Sequence, residues 1–124
     1  MATIIPRSTI FIDGGATSMT YTTTLTVKKG GTSDTQRIII QRSEESGHNG
    51  IVNASYVYID YPYVTLDGRD RNRFIIKATG GYIVRIPPNG NYVQIKNISL
   101  LNTFSTSWGT PLYGDSQHLT LKAF

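Results

Sequence analysis

The stretch that decides the fold class is residues 19–28, MTYTTTLTVK, where apolar and hydroxyl side chains alternate with a period of two. In an extended chain Met19, Tyr21, Leu25 and Val27 would share one face, and the threonines at positions 20, 22, 24 and 26 would share the other. This alternation predicts one long β-strand with a core face and a solvent face.

The composition of the whole chain favours strands in the same way. Its 124 residues include 15 Ile, 16 Thr, 6 Val and 8 Tyr, but only 5 Ala and 2 Glu. β-Branched and aromatic side chains fit a pleated surface and lose rotamer freedom in a helix. No window has sustained apolar spacing of 3.6 residues, so we expect an all-β protein.

Strand-like runs alternate with turn clusters along the chain, at the spacing typical of a two-sheet protein. The interpretation is an antiparallel two-sheet β-sandwich of immunoglobulin-like or jelly-roll type with eight or nine strands. The expected strands are residues 3–13, 19–28, 35–42, 51–59, 63–66, 71–77, 82–86, 92–101 and 118–124.

The size and composition indicate one domain over residues 1–124, with residues 1–7 as a possible N-terminal arm. We find no internal repeat and no linker. The absence of cysteine excludes disulfides and thiol chemistry, and the net charge is only +4. We see no secretion signal and no run long enough to cross a membrane, so no membrane partner is expected.

Several expected strands are apolar on both faces, which a sandwich strand should not be. Ile38 and Ile40 oppose Ile39, and residues 51–59 carry apolar side chains at both odd and even positions. Either loops and the arm cover the second face or other subunits do, and we favour subunits. The candidate interface residues are Ile4, Ile5, Tyr56, Tyr58, Tyr61, Tyr63 and Phe124.

The four tyrosines of this set also suggest a carbohydrate site. Tyrosine rings stack on sugar rings, and Asp60 or Asn53 would bind hydroxyl groups. Trp108, in a polar stretch, is either an exposed platform for a ligand or a plug at one end of the sandwich. Glycan binding is therefore the alternative to subunit contact.

Arg69, Arg71 and Arg73 alternate and would lie on one face of an extended strand, about 6.5–7 Å apart, with Lys77 further along. Such a row would pair with anions or carboxylates, and nucleic-acid binding is the third hypothesis. The interleaved Asp70 and the modest charge disfavour nucleic acid.

Groups for catalysis are scarce, with two histidines, two glutamates and no nucleophile motif. Neither His48 nor His118 belongs to a metal-ligand spacing. We therefore expect no enzyme activity, no catalytic residue, no metal and no cofactor.

The Thr/Ile/Tyr-rich strands, the lack of cysteine and the opening Ala2-Thr3-Ile4-Ile5-Pro6-Arg7 give the chain a general resemblance to small all-β bacteriophage virion proteins of the capsid-decoration or tail-accessory type. The resemblance implies a non-enzymatic structural subunit, a homo-oligomer or a partner of other structural subunits, located in a virion if the protein is viral. The two-faced strands point toward assembly independently of it.

Overall fold

The computed structural model describes residues 7–78, 84–87, 89–102, 112–114 and 120–122. These residues form thirteen short strands in three sheets. Sheet 1 contains β1 (Thr9–Ile12), β4 (Ile38–Arg42), β7 (Val64–Asp67), β10 (Gln94–Lys96) and β13 (Thr120–Lys122). Sheet 2 contains β2 (Ser18–Thr20), β5 (Ile51–Ala54), β8 (Phe74–Ala78) and β11 (Ser99–Asn102). Sheet 3 contains β3 (Leu25–Val27), β6 (Val57–Ile59), β9 (Val84–Ile86) and β12 (Leu112–Gly114).

All strand pairings among the described residues are parallel, so the predicted antiparallel sandwich is wrong. The chain visits sheets 1, 2 and 3 in turn and then returns to sheet 1, next to the strand it left. This path is that of a parallel β-solenoid, in which each strand pairs with the same strand of the next coil. Coils 1 to 4 begin at β1, β4, β7 and β10.

Inward-facing residues stack in columns that run through the coils. In sheet 1, Ile10, Ile40, Leu66 and Ile95 are successive register partners. Column residues from sheets 2 and 3, including Phe74, join them in one buried apolar cluster. Because each coil buries its inner face on its neighbours, stability accumulates along the stack.

Much of the error in the predicted strands arises because three of them contain a corner of the solenoid. Residues 51–59 are two strands joined by a corner at Ser55 and Tyr56. The corner shifts the alternation by one residue, so that Val52, Ala54, Val57 and Ile59 are all buried. The run looked apolar on both faces only because it was read as one strand. Residues 19–28 and 92–101 likewise divide into two strands each.

The structure also contains the repeat that the sequence did not reveal. Register partners in sheet 2 are 33 residues apart from Met19 to Val52 but 22 residues apart from Val52 to Phe74. The conformation therefore repeats once per coil while the connecting segments differ in length. A search for a fixed sequence period cannot detect such a repeat.

The outer faces carry a few apolar residues that neighbouring coils already shield in part. Ile39 and Ile75 point outward, and each is only partly exposed. Thr65 is buried between its register partners Ile39 and Gln94, and its hydroxyl hydrogen-bonds to the Gln94 amide oxygen at 3.2 Å. The premise that loops or another subunit must cover a second apolar face therefore does not hold for sheet 1.

No helix long and apolar enough to cross a bilayer occurs in the part of the chain that the structure describes.

Candidate functional site

A left-handed backbone conformation recurs just before three of the sheet 1 strands, β1, β7 and β10. Arg7, Tyr63 and Tyr92 all have positive φ angles, of 73°, 53° and 58°. Left-handed backbone costs a non-glycine residue about 1–2 kcal/mol, and the neighbouring coils hold it in place. The Tyr63 amide donates to the Asn91 carbonyl at 3.0 Å, and the Ile38 amide donates to the Tyr63 carbonyl at 3.1 Å.

Two tyrosines stack at the corner between sheets 3 and 1. The rings of Tyr63 and Tyr92 are parallel within 2°, with centroids 4.8 Å apart, which matches the separation of neighbouring strands. The Arg37 guanidinium lies 5.5 Å from the Tyr63 centroid, donates to the Tyr92 carbonyl at 2.6 Å and pairs with Asp34. The stack and the arginine form a fixed aromatic edge.

A cleft of about 440 Å³ opens beside this edge. Its walls come from two coils, residues 60–62 after β6 and residues 89–91 after β9. The lining residues are Asp60, Tyr61, Pro62, Asn89 and Asn91. Tyr61 is 40% exposed, so its ring is accessible to a ligand.

Gly90 allows the two walls to lie close together. A Cβ atom on Gly90 would lie 2.5 Å from the Ile86 Cγ2 atom and 2.8 Å from the Ile59 carbonyl oxygen. Only a residue without a side chain lets the turn lie this near to Ile59. Asn89 and Asn91 are thereby held on the same side of the coil as Asp60.

The Asp60 carboxylate is unlike the other half-buried aspartates of the described residues. Its Oδ1 atom is removed from solvent and accepts no hydrogen bond. Asp13, Asp67 and Asp70 each accept a hydrogen bond from the backbone amide two residues later, at 2.7–2.8 Å. A buried acceptor without a donor is costly, so Asp60 is the group in this cleft that a ligand would stabilise most.

The other tyrosines of the predicted set lie elsewhere. Tyr56 is half-buried against the core at the corner between sheets 2 and 3. Tyr58 points outward from sheet 3, and the Arg85 guanidinium lies 5.8 Å from its ring centroid. Of the predicted cluster, only Tyr61 and Tyr63 share the corner of the cleft. Ile4, Ile5, Trp108 and Phe124 are outside the described residues.

The predicted arginine row does not lie on a strand. Arg69, Arg71 and Arg73 belong to the turn segment 68–73 between β7 and β8, and Arg69 has a positive φ of 67°. Arg69 pairs with Glu44 at 3.2 Å, and this contact, together with Asp67, raises the pKa of Arg69. Arg73 pairs with Asp70 at 3.8 Å. Two of the three arginines, Arg69 and Arg73, therefore already form ion pairs with carboxylates of the same chain.

A second polar cluster lies at the corner between sheets 1 and 2. His48 Nδ1 is 3.1 Å from Asp13 Oδ1, and both line a shallow depression with Phe11, Ser43 and Glu45. The Ser43 hydroxyl accepts a hydrogen bond from the Glu45 amide. Among the described residues no group of three or more His, Cys, Asp or Glu side chains could hold a metal ion.

Sequence reasoning found Asp60 and Tyr61 but missed their partners. Asn89 and Asn91 belong to the run Pro87-Pro88-Asn89-Gly90-Asn91, a composition that by itself predicts a five-residue hairpin loop. The Asn-Gly pair correctly indicates a tight turn. Nothing in the sequence indicates that a parallel coil would place this turn beside residues 60–62.

Comparison of the chain with protein-family models, with curated proteins and with solved structures finds no significant match.

Proposed function

We propose that this protein is a carbohydrate-binding module whose ligand occupies the cleft formed by Asp60, Tyr61, Asn89 and Asn91. The observation that carries the proposal is that Asp60, in a cleft with an accessible tyrosine, has one buried carboxylate oxygen without a hydrogen-bond partner. A sugar hydroxyl group that reaches the Asp60 carboxylate from the cleft would supply a donor that the described residues do not.

The chemistry of the cleft suits sugars better than other small ligands. Carbohydrates present apolar C–H faces and rings of hydroxyl groups. Tyr61 offers an aromatic face for the former. The carboxylate of Asp60 and the side-chain amides of Asn89 and Asn91 offer acceptors and donors for the latter. The cleft is open, which allows a sugar within a longer chain to enter sideways.

The test is binding to immobilised glycans, with variants that separate charge from fold. Asp60→Asn keeps the shape of the side chain and removes its charge, and we expect about tenfold weaker binding, equivalent to about 1.4 kcal/mol. Tyr61→Ala should abolish binding, whereas Tyr61→Phe, which keeps the ring, should retain most of it. Glu45→Gln removes an exposed carboxylate at another corner and is the matched control.

Two outcomes contradict the proposal. One is the absence of glycan binding by the folded wild-type protein across a broad panel of glycans. The other is glycan binding that neither Asp60→Asn nor Tyr61→Ala weakens, which would place the ligand elsewhere on the molecule.

Assembly into a larger structure is a second candidate, favoured by the surface of coil 1. Phe11 is 61% exposed and Met19, the register partner of buried Val52, is 39% exposed. A cavity of about 510 Å³ opens there onto Val52 and Phe74. A role as a structural subunit, including one in a virion, stays a prediction based on this apolar surface.

Light scattering at low and high salt tests the assembly candidate. A salt-resistant oligomer that Phe11→Ser converts to a monomer would support it, because burial of apolar surface is little affected by salt. A monomer at both salt concentrations would contradict self-assembly.

A further inference from the structure

The net positive charge of the described residues is unevenly distributed around the solenoid. All the described carboxylates except Asp34 and Asp60 lie at or beside the corner between sheets 1 and 2; they are Asp13, Glu44, Glu45, Asp67 and Asp70. Sheet 3 and the corner that follows it carry Lys28, Lys29 and Arg85, none of which forms an ion pair with a described residue. Asp34 and Asp60 lie at the same corner, and Asp34 pairs with Arg37.

The outer face of sheet 3 holds one of these cations in a fixed position. Thr26, Tyr58 and Arg85 occupy successive coils in one outward-facing column. The Arg85 guanidinium lies over the Tyr58 ring, and this contact restricts an otherwise flexible side chain. Arg85 remains exposed, so its hydrogen-bond donors can reach a ligand.

This column adjoins the proposed sugar cleft. Asp60 lies two residues after Tyr58 on the same coil, which corresponds to about 6.5–7 Å of extended chain. Lys28 follows Val27, the register partner of Ile59, and so occupies the position next to Asp60 on the preceding coil. Arg85 therefore lies about two residues of extended chain from the level of Asp60, on the next coil, and Lys28 lies about 4.8 Å from Asp60 on the preceding coil.

We infer that the glycan of the proposed function is acidic and that its anionic substituents lie on sheet 3 against Arg85 and Lys28. This inference rests on the proposed function of the cleft. The unpaired carboxylate of Asp60 accepts hydroxyl groups of one sugar and repels an acidic group from the cleft itself. The acidic substituent then occupies the neighbouring position, where Arg85 and Lys28 form no ion pair with a described residue.

The arginines that the sequence singled out are less suited to this role. Arg69 contacts Glu44 and Asp67, and Arg73 contacts Asp70. A polyanion would have to displace these carboxylates before pairing with either arginine. Lys28 and Arg85 form no ion pair with a described residue, so a polyanion would not have to break one to bind them.

The experiment compares dextran with dextran sulfate and with carboxymethyl dextran, which share a backbone and differ in charge. We expect the wild-type protein to bind at least one of the two anionic polymers more tightly than dextran. The difference between dextran sulfate and carboxymethyl dextran shows whether the site prefers sulfate or carboxylate groups. The double variant Arg85→Gln/Lys28→Gln should lose about fivefold in affinity for that polymer. Arg85→Lys, which keeps the charge, should retain most of the affinity.

The matched control is Lys77→Gln/Lys96→Gln, which removes the same charge from sheets 2 and 1. Equal losses in the two double variants would overturn the inference, because net charge alone would then explain the binding. An absence of preference for either anionic polymer would also overturn it. The proposed function is tested separately, since Asp60→Asn should weaken binding of neutral glycans and the Arg85/Lys28 double variant should not.

Discussion

Asp13 and Asp60 are both half-buried aspartates, but their surroundings differ. Asp13 accepts the Gly15 amide hydrogen bond at 2.7 Å and also contacts His48 at 3.1 Å. The Gly15 hydrogen bond, with His48 as a further cause, holds the pKa of Asp13 below its usual value. Asp13 has a structural role at its own turn, whereas Asp60 has an unmet requirement for a donor.

A pH dependence follows from the lowered pKa of Asp13. A group whose pKa is lower in the folded state stabilises the fold above its unfolded pKa, which is about 3.9 for aspartate. That contribution is lost as the pH falls through the lowered folded pKa. We expect Asp13→Asn to unfold at lower urea concentration than the wild type at pH 7, and the difference to shrink as the pH falls below about 4. A difference that is constant from pH 7 to pH 2 would contradict the assignment.

Gly90 gives a second prediction for a single residue. In Gly90→Ala the new methyl group would contact Ile86 and the Ile59 carbonyl, so we expect a loss of about 1–3 kcal/mol in the free energy of unfolding. Displacement of the turn should also weaken the proposed glycan binding. Gly47→Ala is the control, because no atom lies within 4 Å of its Cβ position and only its φ of 83° opposes the change. Urea titration of both variants measures the difference.

The individual strands show what could be predicted from sequence and what could not. Strand-forming character was evident in Ile38–Arg42 and Val64–Asp67, and the all-β composition was confirmed. The corner at Asn97, with φ of 56°, divides the expected strand 92–101. Asparagine adopts this left-handed conformation more readily than most residues, but its presence in a sequence does not by itself predict a corner. Parallel pairing was not predictable, because alternation within a strand carries no information about its neighbour's direction.

The connection from β4 to β5 depends on a buried cation. Arg42 is 3% exposed and donates hydrogen bonds to the carbonyls of Gly68, Ser43 and Asn49. Its guanidinium therefore joins the start and the end of the segment 43–50 to the next coil. Backbone hydrogen bonds to coil 1, from the Ser43 amide to the Ile12 carbonyl and from the Gly50 amide to the Gly15 carbonyl, hold the segment on its other side.

Replacing Arg42 should loosen this connection. In Arg42→Met the three carbonyls lose a charged donor, and we expect about 2–4 kcal/mol lower stability and faster amide hydrogen exchange across residues 43–50. Arg69→Met, which removes an exposed arginine nearby, should cost less than about 1 kcal/mol. A comparable loss of stability in the two variants would show that the burial of Arg42 is not the reason for its contribution to stability.

For the whole molecule, the parallel register makes a prediction that an antiparallel sandwich does not. Ile39, Thr65 and Gln94 are outward-facing partners on three successive coils. Cysteines at 39 and 65 would have Cα atoms about 5 Å apart, within the range for a disulfide. Cysteines at 39 and 94 would be about twice as far apart and should not bridge. The chain has no native cysteine, so mass spectrometry after mild oxidation shows whether the two introduced cysteines have formed a disulfide.

The unequal connections between sheets 1 and 2 have a consequence for how such a protein can change. Coil 4 makes this turn with Asn97 and Ile98 alone, whereas coil 2 uses residues 43–50. Because the entropy of closing a loop rises slowly with its length, insertions at this corner leave the strand register intact. The protein can therefore acquire new surface segments at one corner while the Asp60 cleft, at a different corner, keeps its shape. The corner between sheets 3 and 1 tolerates the same variation, with four residues between β6 and β7 and ten between β3 and β4.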